Sequence, residues 1–128
     1  MAKILVIDDS PMIRTIIHKI LSKENHEVIE ASDGVEAAKA LKEDHDIKML
    51  FLDIHMPNMD GVSFIREIVV NEKNLYPEVA IAVVSTESRQ DLKQLALVSG
   101  VIGWLEKPVT RENIIELTKK GLADNTGS

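Results

Sequence analysis

The sequence contains no cysteine, and aromatic residues make up only 3% of it. Without cysteine, the chain can form neither disulfide bonds nor thiolate metal sites. Because aromatic rings are scarce, we expect the core to be built from Ile, Leu, Val and Ala. The hydrophobic fraction of 45% is ordinary for a globular protein with a proper core.

Basic residues are in the minority, with 15 Lys and Arg against 21 Asp and Glu and a formal net charge of -6. This balance argues against broad nucleic-acid binding, which needs clustered cations. Long apolar runs are also missing. The run from Ile4 to Ile7 is too short for a signal peptide or a membrane span, and Asp8 ends it. We therefore expect a cytoplasmic protein that binds neither nucleic acid directly nor a membrane.

The length of 128 residues suits one domain. Short apolar runs alternate with segments of helical spacing, and the runs lie at 4–7, 27–31, 49–52, 79–84 and 101–105. Strands that are apolar throughout are buried on both faces, as in a parallel sheet covered by helices. This pattern predicts a doubly wound α/β domain over residues 1–122, with a disordered tail over 123–128. The second run is the most polar, which favours an edge position.

Polar side chains follow four of the five predicted strands. The carboxyl ends of parallel strands form the usual binding edge of such sheets. Taken singly, each group is more typical of a solvated turn or a helix cap, but their joint appearance indicates a site. The residues at these ends are Asp8 and Asp9, Asp53, Ser85 and Thr86, and Lys107 and Pro108.

The chemistry of these side chains favours phosphoryl transfer. Two carboxylates about 4 Å apart repel by roughly 4 kcal/mol at an effective dielectric near 20, and a hard cation such as Mg²⁺ would offset this repulsion. Lys107 supplies a compact positive charge for a phosphoryl oxygen, and Ser85 supplies a hydroxyl donor. Asp53 is the best candidate nucleophile, because it lies near the middle of the sheet where the other groups can surround it.

These residues resemble the response regulator receiver family over residues 3 to 121. The pattern Asp-x-x-Met-Pro-x-Met-Asp-Gly from Asp53 to Gly61 is highly specific. The other matching segments are Ile4–Ser10, Val83–Ser88 and Gly103–Pro108. The resemblance implies a flavodoxin-like (βα)5 fold with strand order 2-1-3-4-5. It also implies a phosphoacceptor signalling domain that catalyses only its own phosphorylation and dephosphorylation.

The family's phosphorylation chemistry carries over to four residues. Asp53 would accept a phosphoryl group from the phosphohistidine of a histidine kinase. Asp9 and Asp53 would bind Mg²⁺ directly, and Asp8 would act mainly through water. The backbone carbonyl of His55 would complete the protein ligands.

The resemblance assigns the switch to residues on the fourth and fifth strands. Lys107 would bind a phosphoryl oxygen, and its peptide bond to Pro108 would be cis. Ser85 would close on the phosphoryl group, and Trp104 would rotate inward. These movements would change a partner-binding surface formed by the fourth helix, the fifth strand and the fifth helix.

Some positions depart from the family's commonest pattern. Trp104 replaces the usual Tyr or Phe, so surface packing without rotation is an alternative. Thr86 is an alternative switch hydroxyl beside Ser85. The side chains of His55 and Glu87, each two residues after a site residue, would tune the lifetime of the phosphoryl group.

Other functions compete with this interpretation. A small phosphatase with an aspartyl nucleophile usually carries Asp-x-Asp after the first strand, whereas Asp8-Asp9-Ser10 stands here. A flavin binder would bind the phosphate of its cofactor in the loop after the first strand, where Asp8 and Asp9 would repel that phosphate. An unphosphorylated interaction module would tend to lose the acidic set. Among receivers, a chemotaxis-type regulator acting at a motor switch is favoured. A phosphorelay intermediate serving a histidine phosphotransfer protein, or a fragment of a larger regulator, is the alternative.

Overall fold

The computed structural model describes residues 2–55, 61–67, 79–86, 89–98 and 100–125. Strands and helices alternate along these residues. The strands are β1 (Lys3–Ile7), β2 (Glu27–Ala31), β3 (Ile47–Leu52), β4 (Ala80–Ser85) and β5 (Gly103–Glu106). The helices are α1 (Pro11–Lys23), α2 (Gly34–Glu43), α3 (Gly61–Ile65), α4 (Gln90–Val98) and α5 (Arg111–Asn125). Among these residues, no helix is both long and apolar enough to cross a membrane.

The five strands form one parallel sheet in the order β2-β1-β3-β4-β5. This confirms the predicted fold class and strand order. It also confirms the edge position of the second strand, which is half-exposed along most of its length.

The sheet is buried on both faces because its central strands alternate between two apolar layers. Met49 and Phe51 of β3 point into the layer that contains buried residues of α1 and α5. Leu50 and Leu52 point into the layer with α2 and α3. A strand that serves two cores must be apolar at every position, as the sequence pattern predicted.

The first helix begins at a capped turn directly after β1. Ser10 is the N-cap, and its hydroxyl oxygen accepts a hydrogen bond from the amide of Ile13 over 3.4 Å. Proline occupies the first helical turn, where its missing N–H costs nothing. Ile17 and Leu21 then pack into the core. The turn that carries Asp8 and Asp9 is therefore held between a buried strand and a packed helix.

Several strand boundaries differ by one or two residues from the sequence prediction, and the last helix ends later than predicted. Ser85 is the last residue of β4 and not the first residue after it. Helix α5 continues to Asn125, three residues past the predicted end of the domain at residue 122. Leu122 packs against the core layer of α1 and α5, and residues 123–125 complete the helical turn that it anchors. Residues 126–128 lie outside the described residues.

Candidate functional site

The acidic side chains lie at the carboxyl edge of the central strands. Asp8 follows β1, and its N–H donates a hydrogen bond to the carbonyl of Ala31 over 3.1 Å. Asp53 follows β3, and its N–H donates to the carbonyl of Ile7 over 3.0 Å. Each residue therefore extends the hydrogen-bonded ladder by one step, which fixes where its carboxylate leaves the sheet.

Three carboxylates converge there, as the strand ends predicted. Oxygen atoms of Asp8, Asp9 and Asp53 all lie within 4.8 Å of one another. Asp8 is 2% exposed and Asp53 is 5% exposed, whereas Asp9 is exposed to solvent. Two buried charges and one exposed charge thus share a space where mutual repulsion is substantial.

Lys107 brings a positive charge into this cluster. Its backbone N–H donates to the carbonyl of Ser85 over 2.9 Å, which anchors the residue at the end of β4. Its ammonium nitrogen lies 2.8 Å from Oδ2 of Asp8 and 3.0 Å from Oδ2 of Asp53. The peptide bond between Lys107 and Pro108 is cis, the isomer that the resemblance implied.

Burial and pairing act in opposite directions on these groups. Burial raises the pKa of Asp8, and the hydrogen bonds from Lys107 and the amide of Ser10 only partly oppose it. Burial lowers the pKa of Lys107, but hydrogen bonds to Asp8 and Asp53 outweigh it, so that this pKa is raised. The lysine is therefore firmly cationic, and it is shared between two acids.

The donor set fits a hard divalent cation. Its ligand atoms are carboxylate oxygens, which Mg²⁺ prefers over nitrogen and sulfur. With one ammonium against three carboxylates, two negative charges remain when all the acids are ionised. A Mg²⁺ ion would neutralise these charges, and Asp8, Asp9 and Asp53 are the side chains that would hold it.

The two predicted switch side chains lie on neighbouring strands. Ser85 is fully buried at the end of β4, and the adjacent Thr86 is exposed. Trp104 on β5 is opposite Val83 in the strand register, two residues before the level of Ser85. The indole is half-buried and packs against the apolar layer of α2 and α3.

Of the two residues predicted to tune the lifetime of the phosphoryl group, the structure describes only His55. The amide of His55 donates to Oδ1 of Asp53 over 3.1 Å, and its side chain is exposed. Its backbone therefore contacts the proposed acceptor. Glu87 lies outside the described residues.

Sequence reasoning missed a polar network behind the acidic pair. Arg14 of α1 donates to the backbone carbonyl of Asp8 over 2.5 Å and to Glu30 of β2 over 3.1 Å. Glu30 also contacts Nδ1 of His18 over 2.7 Å. One signal was available, since Arg14 and His18 are four residues apart and share a helix face.

Comparisons with known proteins agree with this geometry. The family model described as the response regulator receiver domain matches residues 4–119. A chemotaxis protein CheY homolog from Campylobacter jejuni is 34% identical over 126 residues, which cover 98% of this chain and 95% of the relative. Chemotaxis protein CheY1 from Helicobacter pylori is 36% identical over 124 residues, covering 96% and 98%. The solved structure of chemotaxis response regulator CheY4 of Vibrio cholerae superposes with a TM-score of 0.85 at 30% identity, covering 94% and 98%.

Proposed function

The chain belongs to the response regulator receiver domain family, and from this premise we propose that it is a signalling switch operated by phosphorylation of Asp53. The donor is the phosphohistidine of a histidine kinase. The observation that carries the proposal is the position of the Lys107 ammonium group between Asp8 and Asp53, with Asp9 alongside.

The reaction moves one phosphoryl group. A carboxylate oxygen of Asp53 forms a bond to phosphorus, the bond from phosphorus to the histidine nitrogen breaks, and its electron pair stays on that nitrogen. Lys107 is within reach of Asp53 and stabilises the charge on the phosphoryl oxygens. Asp8, Asp9 and Asp53 would hold a Mg²⁺ ion, which would supply further neutralisation of the phosphoryl charge. The chain acts only on its own aspartate and is not an enzyme in the ordinary sense.

The modified aspartate changes the surface through Lys107, Ser85 and Trp104. Lys107 breaks its ion pair with the unmodified Asp53 carboxylate and binds a phosphoryl oxygen instead. Ser85 then closes on the phosphoryl group, and Trp104 moves inward. Because Lys107 directly follows β5, a shift of its backbone is transmitted to that strand.

The face formed by α4, β5 and α5 is the proposed partner-binding surface. Lys93 of α4 forms an ion pair with Glu106 of β5 on this face. A groove of about 320 Å³ lies between β5 and α5, lined by residues that include Leu105, Asn113 and Leu117. Both features lie on the elements that Lys107 would move.

The relatives in Campylobacter and Helicobacter are chemotaxis proteins. We propose that this chain acts in a chemotaxis-type pathway in the cytoplasm, with a motor switch protein as its partner. The side chains of His55 and Glu87 are proposed to set how long the phosphoryl group persists.

The first test is the intact mass of the protein after incubation with acetyl phosphate. The parent and Asp53→Asn are compared, each with and without Mg²⁺. We expect one phosphoryl adduct that requires both Mg²⁺ and Asp53. An adduct that persists in Asp53→Asn would contradict the choice of acceptor. Many turnovers of donor without an accumulating adduct would favour a phosphatase.

A further inference from the structure

Arg14 joins the end of β1 to the neighbouring edge strand. Its Nη1 donates to the backbone carbonyl of Asp8 over 2.5 Å, and its Nε donates to Oε1 of Glu30 over 3.1 Å. The side chain is only 17% exposed, although the residue belongs to a surface helix. The guanidinium group therefore uses two of its donors in a fixed fork, which a lysine could not reproduce.

The carbonyl of Asp8 lies where the ladder between β1 and β2 stops. The N–H of Asp8 bonds to Ala31, and its side chain accepts from the amide of Ser10 over 2.9 Å. Strand β1 ends one residue earlier, at Ile7. Arg14 therefore supplies a donor to the carbonyl at the point where the strand stops.

This contact has a consequence for Asp9. A peptide unit is planar, so the carbonyl of Asp8 lies in one plane with the nitrogen and Cα of Asp9. Fixing the direction of that carbonyl therefore fixes the N–Cα bond of Asp9, from which its side chain projects, and leaves only the rotations of Asp9 itself to aim the carboxylate. Asp9 is exposed, so packing constrains its side chain little. The direction of its carboxylate therefore depends on the backbone more than the direction of a buried side chain does.

Glu30 in turn holds the guanidinium group in place. Burial of Glu30 raises its pKa, but hydrogen bonds from His18 and Arg14 outweigh this and lower it below its ordinary value. Glu30 therefore stays ionised at neutral pH and acts only as an acceptor. With Oε2 bound to Nδ1 of His18 over 2.7 Å, its other oxygen is directed at Arg14.

We propose that Arg14, oriented by Glu30, is a positioning residue that aims the Asp9 carboxylate into the Mg²⁺ site through the carbonyl of Asp8. The proposal rests on the proposed function, because it deepens the account of the same site. Groups that orient metal ligands typically contribute a factor of about 10 to 100 in affinity or activity. Arg14 contacts neither the metal position nor the acceptor in the described contacts, so it acts through Asp8 and Asp9.

The test compares Arg14→Met, Arg14→Lys and the control Lys3→Met. Lys3 forms a similar ion pair, 2.6 Å from Asp44, at the opposite end of β1. Mg²⁺ affinity is measured from the shift in melting temperature across a Mg²⁺ titration, and phosphorylation by acetyl phosphate is followed by mass. We expect Arg14→Met to weaken Mg²⁺ binding about 10-fold. Arg14→Lys should restore little of this loss, and Lys3→Met should bind Mg²⁺ like the parent.

A double variant separates positioning from a general loss of structure. If Arg14 acts by aiming Asp9, then Arg14→Met should cost less than about 2-fold in Mg²⁺ affinity when Asp9→Asn is already present. A full additional 10-fold loss in that background would overturn the proposal. Glu30→Gln provides a milder variant, should Arg14→Met fold poorly, and it should weaken Mg²⁺ binding in the same direction.

The outcomes distinguish this proposal from the proposed function. Equal Mg²⁺ affinity in the parent and Arg14→Met would overturn the positioning role, even if Asp53 is phosphorylated in both. Mg²⁺ binding that depends on Arg14, without any phosphorylation of the parent, would support the positioning role and contradict the proposed function. A parent that neither binds Mg²⁺ nor accepts a phosphoryl group would overturn both.

Discussion

The ammonium nitrogen of Lys107 lies 3.0 Å from Oδ2 of Asp53, although the two residues are 54 positions apart in the sequence. Asp53 follows β3 and Lys107 follows β5, so the lysine side chain reaches across the end of β4. The backbone of Lys107 is anchored to Ser85 of that middle strand. Its side chain is 13% exposed, which places the ion pair largely out of water.

Replacing Lys107 should destabilise the protein more than a surface ion pair would. In Lys107→Met, the largely buried carboxylates of Asp8 and Asp53 lose their cation. Removing one partner of a buried pair costs about 3 kcal/mol or more. We expect a free energy of unfolding lower by about that amount without Mg²⁺, and partial recovery when Mg²⁺ is added. Urea unfolding with and without Mg²⁺ measures both effects.

Lys93→Met is the matched control for this prediction. Lys93 is also a lysine in an ion pair, but its partner Glu106 is half-exposed. Exposed pairs contribute about 1 kcal/mol at most, and this pair lies outside the carboxylate cluster. Equal losses in Lys93→Met and Lys107→Met, or a Mg²⁺ effect in both, would contradict the assignment of Lys107 to the buried cluster.

Charge crowding predicts that Asp8→Asn is more stable than the parent without Mg²⁺ but binds Mg²⁺ more weakly. The buried Asp8 carboxylate has a raised pKa, so its ionisation opposes folding. Asn keeps the shape and an acceptor for Ser10 without the charge. Asp44→Asn is the control, because its bond to Lys3 lowers the pKa of Asp44. That substitution should not stabilise the protein, and a lower melting temperature for Asp8→Asn would refute the crowding argument.

The pH dependence of the Asp8→Asn effect has a defined sign. Because the folded pKa of Asp8 lies above its ordinary value of 3.8, the folded state binds the proton more tightly than the unfolded chain. The contribution of Asp8 to stability therefore falls as the pH rises from 3.8 through the folded pKa, and the variant lacks this contribution. The advantage of Asp8→Asn should be largest at neutral pH and should vanish in acid. A series of melts across this range tests the trend.

The fold was predictable because its central strands serve two apolar layers. That requirement makes the stretches 4–7, 49–52 and 80–84 of β1, β3 and β4 continuously apolar, a signal visible in local sequence. Strand order is different, because it depends on contacts between distant elements, and it came from the family resemblance alone. The end of α5 was predicted too early, because the small polar residues from 123 onward predicted a tail. The helix instead continues to Asn125, in the turn that the packed side chain of Leu122 anchors.

The acidic cluster was predictable because strand ends converge in a parallel sheet, which brings Asp8, Asp53 and Lys107 together. The contact between Arg14 and Glu30 was not. It depends on how α1 lies against β2, and local periodicity carries no information about that placement. Spacing indicates which residues share a helix face, but it does not show which strand that face meets.

His26 predicts a second pH effect, at the opposite end of the sheet. Its Nδ1 accepts a hydrogen bond from the amide of Ala2 over 3.0 Å, and burial lowers its pKa below the ordinary value of 6.5. The folded state therefore binds this proton less readily than the unfolded chain, and stability falls as the pH drops below 6.5. In His26→Asn, which keeps an acceptor but does not titrate, this part of the loss should disappear. Urea midpoints of both proteins from about pH 8 to about pH 5 measure the difference, and parallel curves would contradict it.

Phosphorylation should change the environment of Trp104, which is the only tryptophan of the chain and therefore an unambiguous fluorescent probe. The indole is half-buried before modification, so inward movement should reduce its quenching by acrylamide when acetyl phosphate and Mg²⁺ are added. The change should be absent in Asp53→Asn.

Ser85→Ala should also abolish the change in quenching while leaving the phosphoryl adduct detectable by mass, whereas Thr86→Ala should behave like the parent. The reverse result for the two hydroxyl variants would make Thr86 the switch residue. Unchanged quenching in fully phosphorylated parent protein would mean that the indole stays in its present packing and that the signal leaves the site through Lys107 and β5 alone.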